Sequence, residues 1–375
     1  MRRPPHEGAH ALPEWRVMRT TRTRLGLAVA GGAAALTLLA GCTSPTPAPE
    51  GPVDLGDGEP GAAEDTSITV AIPFPDVTMY SMFVLGTDLG YYEEEGLTVE
   101  VITADNVTAA VASGSADIGV ESTGTVIDAI RGGVEIDLVS GHYCRQNFDF
   151  AAQSDVESVE DLDGTSIVLA GTPGDPAEFQ RAQVLAEEGW DLESINAEVV
   201  YPGPGSESWT EFFVNDRISL QPFYADDRAA LEEHGANIVV ESLRNWANDV
   251  QIAGTAWVKE NPNSLVRFLR ATLKATDFMT APAPGEFPEN AEEALDIYEA
   301  NDFDVQELRD SDSVWILDGH LACPNLYFDA DAWDTTIETQ KLEPLEFDDA
   351  QLAHLFKAQE LLGLDNEGPA TLPYP

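Results

Sequence analysis

From Ser67 onward the apolar positions switch repeatedly between a period near two and a period near 3.6. Ile68–Ile72, Leu97–Ile102, Asp117–Val120 and Val134–Ser140 are short β-rich runs, and each reads as a strand. Met79–Leu89, Asn106–Ser113 and Thr123–Ile130 lie between them with helical apolar spacing. The first two are followed by Gly90 and Gly114, residues suited to a helix C-terminus. The pattern then restarts. Strands are predicted at Ser166–Ala170, Ala197–Tyr201, Ile218–Phe223 and Asn237–Val240, with helices over 176–188, Ser208–Val214 and Ala225–Glu233. The first of these helices opens with Asp175, Pro176 and Glu178 at its cap, first and third positions. Alternation of this kind gives an α/β chain with parallel sheets covered on both faces, here as two doubly wound lobes. The extended runs Phe148–Gln153 and Gln251–Val258 are expected to be two hinge strands crossing between the lobes. Lobe one is then 67–147 and 259–375, and lobe two 148–258. Amphipathic helices are expected at Ser264–Met279 and Ala291–Ala300.

The first 66 residues follow another rule. Arg19, Arg22 and Arg24 precede an apolar run from Leu25 to Leu39, which has the length of a signal-peptide core and is short for a membrane span. It ends at Leu39-Ala40-Gly41-Cys42, which resembles the bacterial lipobox. That motif implies removal of residues 1–41 and a diacylglycerol on Cys42. An uncleaved anchor helix is the alternative. Met18 is a second candidate start that would bring the basic residues to the N-terminus. Residues 42–66, rich in Pro, Gly and acid, cannot bury a core and read as a disordered tether.

Composition then narrows the partners. With 43% hydrophobic residues the 375-residue chain can bury a substantial core despite its charge. Lys and Arg number 19 against 67 Asp and Glu, for a net −48. Residues 1–41 hold six of the Arg and two of the Glu, so the remainder stands at −52. Such a balance excludes nucleic acid as a partner and opposes adsorption to anionic lipid, leaving the N-terminal lipid as the membrane contact. It also describes a well-solvated acidic surface of the kind found in salty habitats.

Four segments carry a resemblance. Gly86–Glu100 (GTDLGYYEEEGLTVE) resembles a hallmark of the nitrate/sulfonate/taurine and thiamine-pyrimidine-precursor binding proteins of ABC importers. Ala112–Val120 (ASGSADIGV) is similar to their Gly-capped helix running into a DIG strand. Val156–Gly164 resembles the segment that opens lobe two, and Ala256–Pro262 the return segment. The resemblance covers about residues 67–280. The run Val214–Phe223 departs from it, with Asn215 in place of the usual Gly and Gln221 where an aromatic–Glu pair is usual. Residues 283–375 have no match. The resemblance implies a type II periplasmic-binding-protein fold, a small-molecule ligand, an ABC permease as partner, a monomer, and lipid anchoring on the extracytoplasmic face of the cell membrane. A receptor in place of the permease, making the chain an exported sensor, fits the same residues.

In this architecture the ligand lies between the lobes, at the carboxyl ends of the strands. The candidate ligand-binding residues are therefore Phe74, Asp76 and Tyr80 after strand one, and Asn106 after strand two. Glu121, Ser122 and Thr123 follow strand three, Thr172 and Asp175 the first strand of lobe two, and Gln221 and Phe223 close the far side. Ser122 and Thr123 equally suit plain helix capping, and Phe74, Tyr80 and Phe223 equally suit core packing. The turn 171–175 lacks the Gly-Lys-Ser/Thr ending of a phosphate-binding loop. Acid at the helix starts (Glu121, Asp175, Glu178) competes with an anion and favours a neutral or cationic nitrogen heterocycle such as a pyrimidine, with a sulfonate, taurine or nitrate as the alternative. Arg145 is the one arginine expected near the cleft.

No GxSxG, HExxH or CxxC is present, so no catalytic residue, cofactor or metal is expected. A pyrimidine-synthesising enzyme of the same fold is the alternative of another class. Cys144 and Cys323 read as a disulfide in an oxidising compartment, and a zinc site made with His142 and His320 is the rival.

Overall fold

The computed structural model describes residues 55–364, except 57, 146–147, 204, 225–226, 242–244, 280–288, 302, 304, 306–321, 329 and 347–348. The expected signal segment 1–41, Cys42, the first part of the tether and His320 lie outside the described residues. Among the described residues no helix is long and apolar enough to cross a membrane.

Lobe one opens with β1 (Ser67–Ile72), α1 (Val77–Asp88), α2 (Tyr91–Glu94), β2 (Thr98–Thr103), α3 (Val107–Ala112), β3 (Ile118–Ser122), α4 (Thr123–Arg131) and β4 (Ile136–Arg145). Lobe two runs through β5 (Asp149–Ala152), β6 (Ser166–Ile167), α5 (Pro176–Glu187), β7 (Glu198–Val199), α6 (Ser206–Val214), β8 (Leu220–Phe223), α7 (Arg228–His234) and β9 (Asn237–Val240). The chain then returns through β10 (Asn245–Gly254), α8 (Thr255–Glu260), α9 (Pro262–Phe278), α10 (Ala291–Ala300), α11 (Ala330–Thr339) and α12 (Ala353–Leu362). Among the described residues two five-stranded sheets form, in the orders β2-β1-β3-β10-β4 and β7-β6-β8-β5-β9. β1 pairs in parallel with β2 and β3, whereas β10 runs antiparallel to β3 and β4. In the second sheet β6 is parallel to β7 and β8, and β5 is the antiparallel strand. Each sheet thus holds one antiparallel strand entered from the other lobe. The fold is the α/β type II periplasmic-binding-protein fold, two doubly wound lobes joined by two crossings.

Two boundaries differ from the sequence expectation. β10 is hydrogen-bonded into the lobe-one sheet over Asn245–Gly254, so the chain has returned to lobe one before the expected run Gln251–Val258. Thr255–Glu260, expected as extended, is helical. The end of the tether is also not free. Arg267 Nε donates to the Gly61 carbonyl at 2.9 Å, Arg270 pairs with Glu59 at 2.6 Å, and the Asp65 amide donates to Ser264 Oγ at 2.9 Å. These arginines and Ser264 of α9 hold residues 59–65 against lobe one.

The hallmark segment has a packing role. A Cβ on Gly86 would stand 2.6 Å from the Tyr92 ring, so a bare glycine is what allows α2 to fold back against α1. Tyr92, 2% exposed, then stacks on Phe268 of α9 at 5.5 Å, and its hydroxyl hydrogen-bonds Thr272 Oγ1 at 2.9 Å. Gly119 of the DIG strand plays the same part, since its Cβ would meet Val107 of α3 at 2.5 Å. Both signatures therefore report the packing of lobe one and touch the ligand question indirectly. Of the C-terminal region, α10 packs on α1, α11 on β10 and α12 on α9, which places all three helices with lobe one.

Candidate ligand-binding site

The strand order reverses between β1 and β3 in lobe one and between β6 and β8 in lobe two. The carboxyl ends of strands at such switch points form the crevice in open α/β sheets. In lobe one, β1 delivers Phe74 and Asp76 there and β3 delivers Glu121, Ser122 and Thr123. Asp76 caps α1, its Oδ1 accepting the Met79 amide at 3.0 Å. α1 bends at Tyr80 (φ −126°, ψ 20°). Tyr80 is buried, with the half-exposed Phe74 ring edge-on at 5.9 Å and the His142 ring stacked at 5.6 Å. His142 is fully buried, and that burial lowers its pKa to about 4, so it is neutral. Its Nε2 lies 2.8 Å from the Met79 carbonyl and its Nδ1 3.4 Å from Gln251 Nε2. The neutral ring then donates at Nε2 and accepts at Nδ1, which leaves no ring nitrogen for a metal.

Glu121 accepts the Ser122 amide at 2.9 Å, and burial raises its pKa. Ser122 Oγ donates to Thr125 Oγ1 at 2.8 Å in the first turn of α4. Thr123 is fully buried and its hydroxyl has no partner. Opposite Ser122 in the sheet register stands Asp249 of β10, a residue absent from the sequence expectations. Burial, then the charge of Glu121, pushes Asp249 up to about 7. Two like charges at one site cannot both ionise cheaply, so Glu121 loses its proton first and Asp249 last. The Tyr80 phenol is raised by burial and then by Asp249, Asp76 and Glu121, which ties all three carboxylates to one ring. Tyr143, paired with Asp249 across β4, is pushed well up by burial and by Asp76, Tyr80, Asp249 and Tyr298. Lobe one thus presents an acidic, aromatic floor whose deepest carboxyl holds or sheds a proton near neutrality.

The other expected residues divide. Asn106 caps α3 at the end of the outermost strand β2, its side chain accepting the Ala109 amide at 2.8 Å, and stands apart from this cluster. Thr172 is exposed in the turn after β6, and Asp175 caps α5, accepting the Ala177 amide at 2.9 Å. Gln221 and Phe223 are corrections. Both are buried, at 0% and 1%, inside lobe two. Phe223 packs with Trp209, Phe213 and Leu231, under the Arg228 guanidinium at 5.4 Å. All four residues of β8 are buried because it is the central strand of its sheet with both faces covered, and the partly exposed residue at that strand end is Tyr224. Arg145 ends β4. Cys144 and Cys323 are bonded to each other. A separate cavity of about 160 Å³ lies between α5, Trp246 and α11 and contains none of the expected residues.

Two substrate lobes with a crevice at paired switch points define a periplasmic-type binding protein. Residues 78–285 match the family described as NMT1/THI5 like, more than half of the chain, and the chain belongs to that family. It is 24% identical over 291 residues to the formylaminopyrimidine-binding protein of Halalkalibacterium halodurans, covering 72% of this chain and 83% of that one. Among solved structures it resembles the putative periplasmic sulfonate-binding protein of Methylobacillus flagellatus KT. The TM-score is 0.59 at 16% identity, with 82% of this chain and 98% of that one covered. It also resembles the periplasmic aliphatic sulphonate binding protein of Escherichia coli, with a TM-score of 0.55 at 12% identity, 74% of this chain and 91% of that one.

Proposed function

We propose that the chain is an extracytoplasmic solute-binding lipoprotein that takes an aminopyrimidine-like heterocycle into the cleft and delivers it to an ABC permease. The observation that carries this is the acidic floor of lobe one, where the sheet register sets Asp249 opposite Ser122, next to Glu121, and burial pushes the Asp249 carboxyl up to about 7. An aminopyrimidine edge offers an N–H donor next to a ring nitrogen. A carboxyl poised between its two protonation states meets that edge in both of its charge forms, with one proton shared in the pair. A sulfonate or nitrate meets the charge of Glu121 there and offers the carboxylates no ring N–H donor. Phe74 and Tyr80 supply ring faces for the heterocycle. The similarity to a protein named for formylaminopyrimidine supports the same reading. The role is binding without catalysis.

A thermal-shift panel tests the ligand class. Aminopyrimidines are expected to stabilise the protein, by about 2.7 kcal/mol at a hundredfold excess over Kd, while taurine, alkanesulfonates and nitrate leave it unmoved. The reverse ranking would replace the heterocycle with an anion.

Two further outcomes follow from the transport role. Cys42→Ala is expected to leave the chain unlipidated and unprocessed, read by membrane fractionation and mass spectrometry; a wild-type N-terminus that is unlipidated or lies elsewhere contradicts this. Ligand is expected to draw the lobes together by hinge motion and reduce the radius of gyration in small-angle scattering. An unchanged radius with saturating ligand contradicts closure.

A further inference from the structure

Arg181, in the second turn of α5, is 4% exposed. One Nη donates to the Leu169 carbonyl at 2.7 Å, the other to the Tyr224 hydroxyl oxygen at 2.9 Å, and Nε has no partner. The guanidinium lies between the rings of Phe148 and Trp209, 5.1 Å from each. It makes no ion pair among the described residues, although the chain carries 67 acids. Arg228 and Arg270 behave differently: Arg228 pairs with Asp149, Glu232 and Glu241, and Arg270 with Glu59 and Glu95. A buried cation is normally paired, because leaving its charge uncompensated is costly. Aromatic faces offset part of that cost.

The position of Arg181 shows what the unspent charge faces. Leu169 follows β6 and Tyr224 follows β8, the two strands between which the order of the second sheet reverses. Arg181 therefore bridges the switch point of lobe two, at the carboxyl edge facing the crevice. Tyr224 is partly exposed, and its hydroxyl is the polar group it brings to this edge, with the buried guanidinium behind it. Its backbone amide is directed to Asp227 Oδ2 at 3.5 Å. Because Arg181 donates into the phenol oxygen, the O–H proton is left to point elsewhere, and no acceptor among the described residues takes it.

We infer that Tyr224, held and polarised by Arg181, is the acceptor-reading residue of the cleft, so that the ligand carries a carbonyl or anionic oxygen at the end opposite its donor edge. Lobe one takes the donor edge and lobe two the oxygen, and a ligand with both ends spans the crevice and rewards closure. This rests on the cleft-binding reading above and adds to it the second half of the ligand. Arg181 is a positioning residue in this arrangement; Tyr224 is the contact.

The test uses matched compounds on the full protein: an aminopyrimidine with and without an N-formyl group, and taurine beside ethylamine. Titration calorimetry of wild type should show about tenfold tighter binding of the formylated pyrimidine than of its parent. Tyr224→Phe, which removes one oxygen and keeps the ring, should weaken the formylated compound about tenfold and leave the parent within about twofold. Arg181→Met should do the same if it folds, and Tyr224→Phe decides the matter if it does not. An equal effect of Tyr224→Phe on both pyrimidines, or on neither, overturns the inference while leaving the heterocycle reading intact. If neither pyrimidine binds wild type, the heterocycle reading fails, and selective weakening of taurine by Tyr224→Phe would still uphold the inference. No such selectivity, or no binding by any of the four compounds, overturns the inference as well.

Discussion

Reduction of the Cys144–Cys323 bond is expected to lower the melting temperature by roughly 5–10 °C. The bond joins the end of β4 to a segment that returns 179 residues later. The whole of lobe two lies inside that loop. Closing a loop of this length removes on the order of 5 kcal/mol of chain entropy from the unfolded state. The bridge also sits in a locally paired site. Tyr143 pairs with Ala322, the Cys323 amide donates to the His142 carbonyl at 2.9 Å, and a Cβ on Gly141 would stand 2.6 Å from the Cys323 sulfur. Melting with and without reductant, together with a Cys144→Ser/Cys323→Ser double variant, measures the effect. Free thiols at both positions in native protein, or an unchanged melting temperature on reduction, would contradict the account.

Asp249→Asn is expected to stabilise the empty protein at pH 8 and to weaken ligand binding. The Asp249 carboxyl titrates at about 7 in the fold against an ordinary 3.8. Between those values the folded state holds a proton that the unfolded state has released, so the contribution of Asp249 to stability falls as pH rises and levels off above 7. At pH 8 the full cost is present, with an upper limit of about 4 kcal/mol. Near pH 4 most of it is gone. Unfolding of the variant and of wild type at pH 5 and pH 8 therefore separates the two chiefly at the higher pH. Parallel profiles would contradict the placement of this carboxyl. The loss of a charge-assisted hydrogen bond to ligand should cost about 1.5–3 kcal/mol, ten- to a hundredfold in affinity. A residue that destabilises the empty protein and strengthens the complex is a mark of a binding site.

Most of the fold was legible because strands and helices here keep their own periods. Ile68–Ile72, Asn237–Val240 and the capped helix after Asp175 stand within a residue or two of expectation. β10 was not legible in full. A strand buried between two neighbours normally reads as a continuous apolar run, and Asn248, Asp249 and Gln251 interrupt this one. Asp249 is one of those interruptions, so the signal that hid the strand also hid Asp249. Arg181 was missed for a similar reason. On an amphipathic helix Gln180 and Arg181 read as a solvated face, and the tertiary fold buries both. Gln221 and Phe223 read as strand-end residues, but β8 is the central strand of its sheet and is buried on both faces. Asn106 was placed by the strand it follows, but β2 is the outer strand of its sheet, away from the reversal in strand order. The loops after β1 and β3 flank that reversal, which is why strand order alone nominates them.

The central claim is that the cleft selects a donor-bearing heterocycle through carboxylates. Titration calorimetry of wild type and Glu121→Gln with the N-formylated aminopyrimidine and with taurine tests it most directly. The account predicts that wild type binds the pyrimidine and that Glu121→Gln weakens it ten- to a hundredfold, about 1.5–3 kcal/mol. Wild type that binds taurine, with binding tightened by Glu121→Gln, would contradict it.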